Sequence, residues 1–102
     1  MLDGEGFDLP ATDDVVALRA RVERFVSGAG CPRNPRLIGG NLVQLRHAID
    51  LLEMTFAHQA AEFAASDEHE DWGSNTAIDW IRHHCQMSGT QAADRIAVGE
   101  QL

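Results

Sequence analysis

Lysine and tyrosine are absent from this 102-residue chain, cysteine occurs twice and proline three times. All eight basic residues are therefore arginines (Arg19, Arg21, Arg24, Arg33, Arg36, Arg46, Arg82 and Arg95), a usage that reads as coding bias rather than chemistry. Two cysteines, Cys31 and Cys85, are too few for a disulfide framework and predict a reduced, cytoplasmic protein. No window approaches the roughly 18 apolar residues of a membrane span. The first residues, Met-Leu-Asp-Gly-Glu-Gly, lack the basic region and apolar stretch of a secretory signal. No membrane partner is expected.

Positive charge is also scarce, with 16 acidic residues against eight basic ones and a net charge of -8. That balance opposes unaided binding to nucleic acid or anionic membrane, because neutralising phosphates requires a basic surface. The distribution is uneven. Residues 1–14 hold five acids and no Arg, 15–46 six Arg and one acid, and 47–102 ten acids and two Arg. Any electropositive face has to come from the middle block.

What is present suits one folded domain. The chain is 44% hydrophobic and 24% charged, a globular composition, and its length excludes a two-domain enzyme. Residues 1–11 read as a mobile acidic lead-in and 12–102 as a single helical domain. Thr12 suits an N-cap, with Asp13 and Asp14 in the first turn, and Val15, Leu18, Val22 and Phe25 recur at the spacing of one helical face over about 13–27. Pro32, Pro35 and the pair Gly39-Gly40 predict a loop over 28–40.

Asn41 and Gln44 then have capping-box spacing, which predicts a helix over 41–66. Along it Leu42, Leu45, Ile49, Leu52, Phe56, Gln59 and Phe63 alternate steps of three and four. Such a stripe serves either an intramolecular helical hairpin or a homodimer formed through this helix. The acidic segment 66–73 reads as a solvated linker. Thr76 with Asp79 and Ser88 with Gln91 predict two further helix starts, and Ala77, Trp80, Ile81 and His84 share one face, with Trp80 expected at its buried centre. The last helix, packing Ala92, Ala93, Ile96 and Ala97, runs to Leu102 without a stop signal, which predicts the N-terminal part of a longer protein. The fold class is therefore all-α, with about four helices: a long central heptad-patterned helix and a C-terminal helix-turn-helix-like pair.

Chemistry-bearing patterns are few. His83, His84 and Cys85 are consecutive, so on a helix they point about 100° apart and do not converge on one ion. Asp67, Glu68, Glu70 and Asp71 lack the spacing of an EF-hand. No nucleophile elbow, P-loop or zincin motif occurs. No catalytic, cofactor-binding or metal-ligating residue is assigned, and no cofactor is expected. In a helix-turn-helix reading of 76–102, Gln91 and Arg95 are the candidate nucleic-acid-binding residues, since Gln and Arg read base edges.

Residues 63–102 also carry a resemblance. Phe63-Ala64-Ala65, the acidic loop ending Trp72-Gly73-Ser74, the run from Ala77 to His84, and then Met87-Ser88, Ala92-Ala93, Arg95 and Leu102 resemble the helical N-terminal domain of the actinobacterial thirteen-E-twelve repeat family. That domain, itself of unknown function, commonly precedes an HNH endonuclease-like domain. The resemblance implies a non-catalytic accessory or assembly domain of an HNH nuclease-like protein, with any nuclease activity in a C-terminal domain outside this chain. The family's last helix is Arg-rich, whereas here only Arg95 stands beside Asp94. Two functions remain open: a helical assembly domain, and a DNA-binding module that meets DNA only within a longer protein.

Overall fold

In the computed structural model, residues 9–28, 30–71, 73 and 76–102 are described, with Asp71 described by its backbone alone. The expected lead-in therefore lies largely outside the described residues, as do Trp72 and Ser74. Five helices follow in order: α1 (Asp13–Gly28), α2 (Pro35–Ser66), α3 (Glu68–Asp71), α4 (Ala77–His84) and α5 (Gly89–Glu100). No strand occurs among the described residues. The all-α class, the long central helix and the C-terminal helix pair are as the sequence predicts, and the added element is the single turn α3.

Thr12 opens α1 through its carbonyl, which accepts from Val16 N–H at 3.1 Å, and Asp13 and Asp14 lie in the first turn where the helix dipole favours acid. The largest departure is the start of α2. Half of the expected loop 28–40 is helical, because Asn34 caps the helix and Pro35 takes its first position. Asn34 Oδ1 accepts from Arg36 N–H at 3.0 Å, and its carbonyl accepts from Leu37 and Ile38. Proline is favoured there, where its missing N–H has no partner to lose. The helix then passes through Gly39 and Gly40, each costing roughly 1 kcal/mol of propensity, a penalty that propagation along 32 residues absorbs. Asn41 and Gln44 are interior residues, not a cap.

The chain divides into two compact units, Met1–Val43 and Gln44–Leu102. In the first, α1 buries none of its residues, and Val15, Leu18, Val22 and Phe25 stay between 44 and 49% exposed. The second unit holds the core. Ala60, Ile81 and Ala92 form one buried cluster, with Phe56, Phe63, Trp80, Met87 and Ile96 partly buried against it.

Both C-terminal helices begin as the sequence predicts. The Thr76 side chain accepts from Asp79 N–H at 3.0 Å, and Ser88 with Gln91 completes a reciprocal capping box. Between them α4 closes around Gln86, which lies in the left-handed region at φ +53. Met87 N–H reaches back to the Arg82 carbonyl at 3.3 Å, the six-residue closure that usually places glycine at the left-handed position.

The buried face of α5 is Ala92, Ile96 and Gly99, with Ala97 exposed rather than packed. At Gly99 this face meets α2 directly. A Cβ there would run into the carbonyl oxygen of Ala57, with the Ala57 carbonyl carbon at 2.6 Å and Ala61 Cβ at 2.9 Å. Backbone leaves no room for a side chain. Gly99→Ala is therefore expected to destabilise the fold by roughly 1 to 3 kcal/mol, the cost of overpacking, although alanine is the better helix former. Thermal unfolding by circular dichroism checks this, and an unchanged or raised Tm contradicts the close contact.

Candidate functional site

A concave apolar groove lined by aromatic rings lies between α2 and α4. It encloses about 180 Å³ and is lined by Phe56, Gln59, Ala60, Phe63, Trp80, Ile81 and Cys85. Helical spacing places these residues together. Phe56, Gln59, Ala60 and Phe63 are three or four apart on α2, and Trp80 and Ile81 continue the apolar face of α4.

The rings along this region form a continuous run. Phe63 and Trp80 have centroids 4.5 Å apart at a tilt of 46°, and Trp80 stacks on His84 at 4.1 Å and 19°. His84 is oriented in turn by its Nδ1, which lies 3.0 Å from the Trp80 carbonyl. His83 meets His84 edge-on at 5.0 Å and is exposed, as its place on the helix predicts. Trp80 is packed against the core cluster but only half-buried. Its Nε1 is inaccessible to water and has no hydrogen-bond partner among the described residues. An unsatisfied buried donor costs about 1 to 3 kcal/mol.

The two candidate base-reading residues have intramolecular partners. Gln91 Oε1 accepts from Ser88 N–H at 3.1 Å, so its side chain serves the start of α5. Arg95 Nη2 lies 3.2 Å from Glu53 Oε1 and joins α5 to α2. Other arginines are paired with acids as well: Arg19 with Glu23 at 3.0 Å, Arg46 with Asp50 at 2.8 Å and Arg82 with Asp79 at 3.7 Å. These are exposed pairs of small energetic worth, but each one lowers the local positive potential.

His83, His84 and Cys85 do not appear together in any cluster of metal-ligating atoms among the described residues. The group the fold does bring together is Asp67, His69 and Glu70, each contributing one ligand atom within 4.8 Å of the others. His69 is only 6% exposed. Its ring faces Phe63 at a centroid distance of 6.4 Å, and its Nδ1 is buried with no hydrogen-bond partner among the described residues. Sequence spacing did not reveal this, because burial of His69 depends on the turn at Asp67, which adopts φ +61 immediately after α2.

No family model, no curated protein and no solved structure matches this chain.

Cys85 lies at the groove's edge. The residue is exposed as a whole, yet it lines the groove, and burial there pushes its thiol pKa up. Because the thiolate is the reactive form, a raised pKa means less thiolate at any pH below it. Cys85 is therefore expected to react with iodoacetamide more slowly than a free model thiol near pH 8. The difference should shrink as pH rises and vanish in denaturant. Mass spectrometry of the peptide containing Cys85 reads the rate, and reaction at or above the model rate contradicts the shift.

Proposed function

We propose that this chain is a non-catalytic helical assembly domain that pairs with a second copy of itself through the apolar face of α2, as an accessory domain of an HNH nuclease-like protein. The observation that carries this reading is a row of apolar side chains left in water on one face of α2: Leu45, Ile49 and Leu52 are between 44 and 46% exposed. The downstream residues of the same stripe, Phe56 and Phe63, are partly buried in the core, so one heptad pattern serves two purposes along one helix. A contiguous apolar patch of this kind is costly on a monomer and typical of an interaction surface. Its steps of three and four match a coiled-coil seam. A second copy carries the same row, and a two-fold arrangement makes the surface its own complement.

Light scattering over a wide concentration range is expected to show a concentration-dependent dimer. Leu52→Asp should return the chain to monomer while its helicity is retained, because Leu52 lies outside the Ala60, Ile81 and Ala92 cluster. A steady monomer for the parent chain, or a dimer insensitive to Leu52→Asp, overturns the reading.

A DNA-binding module remains the second reading, favoured by the packed α4–α5 pair and its short turn. In that case Gln91 and Arg95 must exchange their present partners for base edges. The charge of -8 and the acid-paired arginines weigh against it. In mobility-shift titrations at about 150 mM salt, no retardation is expected at protein concentrations below the 10⁻⁶ to 10⁻⁴ M range of non-specific binders. Retardation at nanomolar protein that is lost in Arg95→Ala favours the module instead.

A further inference from the structure

We infer that Asp67, His69 and Glu70 form a site for one divalent transition-metal ion of the zinc type. The inference rests on two separate observations and is independent of the assembly reading. One is the convergence of an imidazole nitrogen and two carboxylates, with one ligand atom from each within 4.8 Å of the others. The other is that His69 is 6% exposed while its Nδ1 has no partner among the described residues. A buried ring nitrogen is costly to leave without a partner, and a ring so buried, with a nitrogen within reach of two carboxylates, is placed as a ligand rather than as a solvated side chain.

The geometry is within reach of an ion. Donors at about 2.0 to 2.2 Å from a tetrahedral zinc lie roughly 3.4 Å from one another, so the triad has to contract by little more than 1 Å. Asp67 and Glu70 are exposed and free of core packing, and their side chains can supply that movement. His69 is held against Phe63 and supplies the fixed point. Glu70 N–H donates to the Asp67 carbonyl at 3.1 Å, which keeps the backbone of both carboxylates in one turn. The donor set also selects the ion. Nitrogen with carboxylate oxygen suits zinc and its transition-metal neighbours, whereas calcium and magnesium take oxygen ligands. Two carboxylates and a neutral imidazole carry two negative charges, which a divalent ion cancels.

The test is titration of the chelator-stripped chain with zinc chloride, followed by calorimetry and by NMR of the histidine rings. One ion per chain is expected, with a raised Tm, since a ligand that binds the folded state stabilises it. Replacing a direct ligand should weaken binding at least as much as losing an outer-shell partner, about tenfold or more. Asp67→Asn and Glu70→Gln are each expected to do so, and both keep the exposed side-chain shape, so the fold is preserved. The His69 ring resonances should move while those of His47, His58, His83 and His84 stay in place. Binding of equal strength in both variants overturns the inference, as does zinc that shifts the other histidines and spares His69, or the absence of binding at millimolar zinc.

Discussion

The approach of α5 to α2 at Gly99 and Ala57 is the contact on which the described structure of Gln44–Leu102 depends. Helices that meet backbone to backbone need small residues at the crossing, and this chain supplies Ala57, Ala60 and Ala61 on one side and Ala92 and Gly99 on the other. Once α5 is seated, Ala92 joins Ala60 and Ile81 in the core, and Arg95 reaches Glu53. The Ser88 and Gln91 capping box fixes where α5 begins, so the turn after α4 delivers the helix to that crossing in register.

A core built on alanine has a consequence for the larger side chains. Among the described residues Ile81 is the one buried hydrophobic larger than alanine. Phe56, Phe63, Trp80, Met87 and Ile96 pack around the alanine contact instead of filling it, which leaves the aromatic run open along the groove. Burying an alanine removes far less apolar area from water than burying a leucine, and hydrophobic stabilisation follows area. A small domain with so modest a core gains from association, and the exposed row on α2 offers further apolar area for it.

The turns carry their own constraints. Asp67 and Gln86 both adopt left-handed conformations, which asparagine and aspartate tolerate better than most residues and glutamine does not. Asp67 ends α2 and turns the chain so that His69 folds back onto Phe63. Gln86 ends α4 and separates it from α5. Each such residue is held because the helices on either side over-determine its position.

Helical periodicity, the Thr76 and Ser88 caps and the absence of strand patterns already determined an all-α chain with a long central helix and a C-terminal pair, since these features act over three or four residues and need no distant partner. The Asn34 cap was equally local but was masked by the glycines and prolines around it, whose breaking tendency a long helix overcomes. Placement of the side chains on those helices was another matter. Nothing in the spacing of Gly99 distinguishes a helix stop from a close crossing, and nothing in Arg95 or Gln91 distinguishes a base reader from an ion pair or a cap. The partial exposure of Trp80, the burial of His69 and the division of one stripe into a packed and an open half were decided only by tertiary structure, because each depends on which residues far apart in the chain arrive at the same place.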